Sequence, residues 1–443
     1  VVTGVQTCAF RSKFPYEIFN WKGADGSELL TYKPTNDYSL SGGGLNSKNF
    51  NSMMAEPAAL GLDYAMALYG SGDHGGGPIP ADISKLNTVN LDPNAPAVKM
   101  ASAIDAFNTI KANVKDKAVT LPEVNDELYL EKHRGTATSA APMKKYNRLS
   151  EIKAEETEKL SSVATILGSA SYPTGKINAA WAKTNLNQFH DVLPGSAITP
   201  VYDDAFNDAE IALNELNSSS TNAINGIDDR INTAGKGTAI VLQNTLSWDR
   251  TTMAQSVVDL SGKDKVVSII NPKGCEVPSQ IVNRVGNKVT VEYTATVPAM
   301  GYAVYRAVET KKASTTTSLV VDQKNKTIEN KFLKVVIDGV TGNIASIHDK
   351  INNKEVFEKG KEGNVLQILE DTPKDWDAWD VDGDDMKAKP TELNSAISVK
   401  LVENGPLKAT YRIQKSYGSS QISQDITLSA DRKSHTSELQ SQP

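Results

Sequence analysis

The sequence predicts a multidomain protein, α/β at its start, α in its middle and β over its second half. Three observations predict this order. Apolar runs alternate with Gly-rich turns over residues 14–80. Apolar residues recur at helical spacing over 142–231, and at Thr238 the period changes from about 3.6 to 2. At 443 residues the chain has room for about three domains of ~150 residues.

The α/β part reads as strand 28–32, helix 49–60 and a buried strand 65–69 that runs into the Gly70-Ser71-Gly72 turn. Strands alternating with helices suggest parallel-sheet units, too few here to close a sheet. Residues 102–112 read as a helix with Ser102 as N-cap. Over 142–167 the residues Met143, Tyr146, Leu149, Ile152, Leu160, Val163 and Leu167 share one helical face, and Gly168 is the stop. A second helix covers 178–189 around Trp181. A third starts at Thr199-Pro200, with Asp203 and Asp204 in a first turn where the dipole favours negative charge, and ends at Ser218-Ser219-Ser220. A shorter helix covers 223–231, closed by Gly235. Short connections make this a helical bundle. Alternating or β-branched segments follow at 239–242, 266–270, 289–293, 302–306, 332–337 and 423–428, as in stacked β-sandwich modules. The polar stretch 309–318 is the expected seam between two of them. Domain boundaries are set at 13–110, 111–236, 237–312 and 313–430.

A net charge of −6 with interspersed signs argues against a nucleic-acid partner. No apolar run approaches the ~20 residues of a membrane-spanning helix. Cys8 and Cys275 make no disulfide framework, which leaves the compartment open. Residues 1–12 and 431–443 look like translated sequencing-library adapter and are set aside as non-native scars.

Three motifs could carry chemistry. Residues 187–196 read Asn-Gln-Phe-His-Asp-Val-Leu-Pro-Gly-Ser, which puts the metal-capable imidazole of His190 beside the carboxylate of Asp191 just before a marked helix start. Alone, such a pair is usually a structural cap. Residues 70–78 form a Gly-rich loop carrying Asp73 and His74 after a predicted strand, where α/β sheets place ligands. No Lys-Ser/Thr follows, so the loop is no phosphate cradle. Residues 127–136 and Lys144 to Arg148 are charged, and alone would be a solvated face. Asp380, Asp382, Asp384 and Asp385 lack the spacing of an EF-hand loop.

The decapeptide closely resembles the signature of glycoside hydrolase family 38, the retaining α-mannosidases, which reads N-Q-F-H-D-[IV]-[LI]-P-G-[ST]. The 72–78 loop is similar to the family's G-D-H-G-G-G-P, and 127–136 to its E-L-Y-L-E-x-H-R-G-T. Segments 19–27, 244–250, 297–302, 347–350 and 375–380 resemble further landmarks, so the likeness runs from residue 14 to 428. It implies the remnant of a (β/α) barrel-like catalytic domain, a three-helix middle bundle and C-terminal β-sandwich domains. It implies cleavage of α-mannosidic bonds in mannoside oligosaccharides with a Zn²⁺-type metal, His190 as a metal ligand and Asp73 as the general acid/base. Asp191, His74, His133 and Arg134 would line the sugar site. Family members take further metal ligands and the nucleophile from an upstream His-x-Asp and an Asp, which nothing before residue 14 provides. The expectation is therefore an inactive fragment of an active parent. Homo-oligomerisation is left open. The alternative is a non-catalytic carbohydrate-binding or scaffold protein, in which exposed Trp376 and Trp379 stack on sugars.

Overall fold

The computed structural model describes residues 15–34, 40–71, 76–126, 128, 133–262, 265–310, 318–430 and, by its backbone, 435–442. The chain forms two compact units. The first holds residues 1–147, 185–207 and 372–382, the second 148–184, 208–371 and 383–443.

In the first unit β1 (Ile18–Lys22) and β2 (Glu28–Tyr32) form a hairpin, and β3 (Glu123–Val124) adds to β1 in parallel. The hairpin turn is built by sequence. The Asp25 carboxylate accepts from the Ser27 amide (3.0 Å) and hydroxyl (2.6 Å), which hold it below the usual carboxylate range, and Gly26 takes φ +83°. The predicted helix 49–60 is two helices, α1 (Ser47–Met53) and α2 (Ala55–Ala59). Pro57 has no N–H to give to the Met53 carbonyl, so the first helix cannot run through it. Helix α3 (Pro80–Val89) starts on its proline, and α4 (Ala103–Asp116) is capped by Ser102, whose hydroxyl accepts from the Asp105 amide.

The predicted buried strand at 65–69 is extended but half-buried, and its strand-type pairing is a single parallel bridge between Tyr69 and Leu40. A strand needs neighbours on its edges, and the described residues supply one. Strands β1, β2 and β3 make a mixed three-stranded sheet. A groove of about 620 Å³ runs along the segment, lined by Phe50, Met53, Met66, Leu86 and Val98 among others.

Three long helices follow: α5 (Ala141–Ile166), α6 (Thr174–Asn187) and α7 (Thr199–Asp228). Helix α7 does not stop at the three serines. Ser219 and Ser220 are buried, and the Ser220 hydroxyl donates back to the Asn217 carbonyl (3.1 Å), so a helix-competing residue is satisfied within the helix. The buried stripe of α5 is only in part the predicted one: Met143 and Leu160 are buried as expected. Leu149, Ile152, Val163 and Leu167 are exposed, while Ser150, Ala154, Thr157, Leu160, Ser161 and Ala164 face inward. In the second unit Ala154 packs with Ile177, Ala180, Ala212 and Leu216, and Leu160 and Ala164 with Ala223 and Ile227. The Thr157 hydroxyl lies 2.6 Å from the Lys153 carbonyl and 3.2 Å from the Leu216 carbonyl. The inward face is thus lined mainly by small side chains, a pattern that apolar periodicity misses.

Two sandwiches complete the second unit. In one, β4 (Thr238–Asn244), β10 (Gly301–Thr310), β6 (Val266–Ile270) and β7 (Glu276–Val277) pair in that order, beside a sheet of β5 (Arg250–Asp259), β9 (Lys288–Val297) and β8 (Ser279–Val285). Val267, Ile269, Val291, Tyr293 and Tyr305 share its core. In the other, β11 (Val320–Asp322), β12 (Thr327–Glu329), β13 (Leu333–Ile337), β14 (Ile344–Asp349) and β15 (Lys354–Glu355) form one sheet. β16 (Gln367–Ile368) and β17 (Thr391–Glu392) pair with each other, and β18 (Ser398–Asn404), β19 (Lys408–Tyr417), β20 (Ser420–Ser429) and β21 (His435–Gln442) form the facing sheet. Ile328, Val335, Ile344, Tyr411, Ile413 and Ile426 fill the space between. Strand β21 falls in the stretch set aside above as a scar; its register puts Leu428 opposite His435. Most of the predicted 309–318 seam lies outside the described residues.

One polar node joins the two sandwiches. Gln280 donates to Glu403 (2.6 Å) and accepts from the Leu407 amide (3.2 Å). The Lys408 ammonium sits 2.9 Å from Glu292 and 3.5 Å from Glu403. These carboxylates outweigh desolvation and raise the Lys408 pKa. Removing one partner of such a buried pair strands the other charge, so Glu292→Ala should destabilise this unit by about 3 kcal/mol, read as a shift of its urea midpoint.

Candidate active site

The stretch after α6 unwinds through consecutive tight turns. The Phe189 amide bonds the Leu186 carbonyl (3.1 Å), and the amides of Val192 and Leu193 both bond the Phe189 carbonyl (2.9 and 3.0 Å). The Gly195 amide bonds the Val192 carbonyl (3.2 Å). Buried Asn187 ties the helix end to α7 by donating to the Ala205 carbonyl (2.9 Å), and Gln188 donates to Asn147 (2.9 Å). The Tyr202 hydroxyl accepts from the Ala197 amide (3.1 Å) and lies 3.3 Å from the carbonyls of Asp191 and Val192.

Those bonds leave the two candidate side chains outward. The side chains of His190 and Asp191 are 63 % and 42 % exposed, with Nε2 3.3 Å from the carboxylate. The imidazole leans on the Phe189 ring at 4.4 Å. The Ser196 hydroxyl reaches the other carboxylate oxygen at 3.4 Å.

A second segment backs the turn. His133 precedes the 3₁₀ turn Gly135–Ala137, whose N-cap is Arg134. The Ser139 hydroxyl lies 3.0 Å from the Gly135 carbonyl and 2.8 Å from the Ala378 carbonyl. The Lys144 ammonium bonds the carbonyls of Ser139 and Pro194, the latter at 2.7 Å, and burial lowers its pKa. Gly195, at φ +98°, is forced to be glycine, since a Cβ there would run into the Ser139 backbone.

Two residues of the loop 372–382 approach the same segment. The Gly135 amide donates to the Trp379 carbonyl (3.0 Å), and the His133 ring meets the Trp379 indole edge-on at 4.6 Å. Trp379 is therefore partly covered, contrary to the expectation that both tryptophans stand exposed; Trp376 does. Burial lowers the His133 pKa, with Asp380 pulling the other way. The loop's aspartates serve its own backbone: Asp382 accepts from the Lys374 amide (3.2 Å) and Asp380 from that of Val381 (2.9 Å). This loop was missed by the sequence reading as a partner of His133, because nothing in its letters says what it packs on.

Asp73 and His74 lie outside the described residues. The stem of their loop is closed: the Ser71 amide bonds the Gly77 carbonyl (3.1 Å), and Gly70, at φ +120°, sits so near Pro78 that a Cβ would fall 2.7 Å from its nitrogen. The described residues thus bring together His133, Arg134, Asp191 and His190 in one unit. They hold no group of three or more His, Cys, Asp or Glu able to bind a metal. The pair His190 and Asp191 gives two donors where a catalytic zinc site uses about three from the protein, so these residues do not complete one.

Residues 131–227 match the alpha mannosidase middle domain, and residues 328–440 match the glycosyl hydrolases family 38 C-terminal domain. The middle and C-terminal parts of the chain thus carry domains of glycosyl hydrolase family 38. All four described site residues fall within its middle-domain match, and the 372–382 loop within its C-terminal match. Alpha-mannosidase G of Dictyostelium discoideum is 29 % identical over 425 residues, 91 % of this chain and 38 % of that protein. Human alpha-mannosidase 2C1 is 27 % identical over 94 % of this chain and 37 % of its own length. The alpha-mannosidase of Saccharomyces cerevisiae is 30 % identical over 84 % and 30 %. The chain thus spans less than two fifths of the length of these relatives. The crystal structure of an alpha-mannosidase from Enterococcus faecalis V583 shares the fold, with a TM-score of 0.62 at 17 % identity over 94 % of this chain and 55 % of that one.

Two outcomes test this geometry. Gly195→Ala should destabilise the first unit by about 2–4 kcal/mol, through a left-handed φ and a backbone clash, seen in its thermal transition. Because the His133 pKa is lower folded than unfolded, the unfolded chain binds more protons as pH falls through the ordinary histidine value of about 6.5. Stability is therefore full above that value and declines below it, and His133→Asn should flatten that part of the melting-temperature profile.

Proposed function

We propose that this chain supplies the sugar-site side chains of a retaining α-mannosidase acting on mannoside oligosaccharides. One observation carries the reading: His190 and Asp191 stand outward on a turn whose backbone is bonded internally, inside a stretch that matches an alpha mannosidase middle domain. A surface pair held this firmly, with no packing role of its own, fits ligand binding better than stability. In this reading His190 gives one nitrogen to a divalent, zinc-type metal. Asp191 accepts hydrogen bonds from sugar hydroxyls, and His133, Arg134 and His74 line the same cleft.

Asp73 is proposed as the general acid/base, on a loop whose stem glycines let the backbone approach a ligand. Retention requires a second carboxylate as nucleophile, about 5–5.5 Å from the first. We place that nucleophile and the remaining metal ligands outside these 443 residues. The α/β part is then a portion of a barrel-like catalytic domain, and the chain taken alone does not turn over.

In a protein of the relatives' full length, Asp191→Asn should lower kcat/KM for an aryl α-mannoside by about 10²-fold or more at unchanged melting temperature. An unchanged rate overturns the assignment. The 443-residue protein, desalted and assayed for metal, should retain far less than one zinc per chain; a full equivalent would mean that its own residues complete the site.

A further inference from the structure

We propose that the loop of residues 372–382 is a sugar-binding arm of the candidate site, with the exposed indole of Trp376 as a platform for the apolar face of a mannosyl unit. The inference rests on the α-mannosidase reading and adds a specificity-determining residue to it.

The first argument is attachment. This loop lies in the first unit, whereas the chain on either side of it, 208–371 and 383–443, lies in the second. Main-chain and side-chain bonds hold it there. The Gly135 amide bonds the Trp379 carbonyl (3.0 Å), and the Ser139 hydroxyl reaches the Ala378 carbonyl (2.8 Å). A Cβ on Gly135 would stand 3.1 Å from the Asp380 carbonyl oxygen and 3.2 Å from its nitrogen, so the approach is as close as glycine permits. Ser139 also touches the His190–Asp191 turn, through Lys144, which bonds both its carbonyl and that of Pro194. Ala378 is therefore linked to that turn through two residues, Ser139 and Lys144.

The second argument is cost. The Trp379 and Asp380 amides both bond the Trp376 carbonyl (2.8 and 2.9 Å), a tight turn that puts Trp376 at φ +61°. For a bulky aromatic residue that left-handed backbone is strained, and a glycine or asparagine would relieve it. Trp376 nevertheless leaves 61 % of its surface in water. Burial does not repay either expense, and strain kept at an exposed aromatic is a mark of ligand contact. Trp379 differs: its edge contact with His133 makes it the anchor of the loop.

The third argument is chemistry. A pyranose offers an apolar face of C–H groups with hydroxyls around its rim. A planar indole matches the face, and Asp377, exposed beside it, can accept from the rim. Trp248, equally bare at 60 % exposure, belongs to the second unit and serves as a control.

The 443-residue protein is titrated with α-mannobiose and followed by tryptophan fluorescence and by saturation-transfer NMR on the sugar. The expected result is saturable binding that weakens roughly fivefold to tenfold in Trp376→Ala, recovers in Trp376→Phe and is unmoved in Trp248→Ala, with all variants melting alike. Equal affinity in Trp376→Ala and the unsubstituted protein overturns the proposal, as does no saturable binding by the unsubstituted protein. Asp191→Asn separates the two readings. If it abolishes binding while Trp376→Ala does not, the site stands and the platform falls. If only the Trp376 variant loses binding, the platform stands and the catalytic assignment falls.

Discussion

The presentation of His190 and Asp191 depends on one ammonium group. Lys144 takes the carbonyls of Ser139 and Pro194 together, and through them joins the start of α5 to the turn that presents His190 and Asp191. Its charge is answered by carbonyl dipoles, and burial favours its neutral form. Both carbonyls must therefore stay in place to satisfy the ammonium, which is a geometric constraint as much as an attraction. Gly195 is a corollary, since the backbone must pass so near Ser139 that no side chain fits between.

The β region is organised by a different balance. Each sandwich has an apolar core of Val, Ile and Tyr, and at the join between them the chain buries charge instead. Lys415, also buried, donates to the Asn343 side chain (2.7 Å) and the Leu393 carbonyl (2.8 Å), so its ammonium is satisfied although burial lowers its pKa. Such groups add little net stability but penalise any packing that leaves them unpaired. In stacked sandwiches, whose apolar faces resemble one another, that penalty selects one docking.

Much of this was legible in the letters. The change of period at Thr238, the Ser102 cap, the start of α7 at Thr199 and the strand 266–270 follow from local chemistry. The His-Asp turn was legible too, because Pro-Gly and its neighbours bond chiefly one another. Other features were not. The inward stripe of α5 is largely small and hydroxylated, so an apolar count finds Met143 and Leu160 but also picks the exposed Leu149, Ile152, Val163 and Leu167. Ser218-Ser219-Ser220 looks like a terminus and is helix instead, with Ser219 and Ser220 buried. Strand β5, rich in threonine with exposed apolar positions, lacks clean alternation. The meeting of His133 with Trp379 joins residues 246 positions apart, and no local pattern encodes it.

The main-chain bonding of the 187–196 turn has a consequence for how variation there would register. Neither imidazole nor carboxylate fills a core, so replacing either leaves the hydrogen-bond scaffold intact. Assays of abundance or protease resistance would pass such variants as normal. At Gly195 and Asn187, in the same short stretch, the same assays would report damage at once. Within ten residues, the positions that hold the fold and those proposed for chemistry are separate, and only a measurement of ligand handling can see the second set.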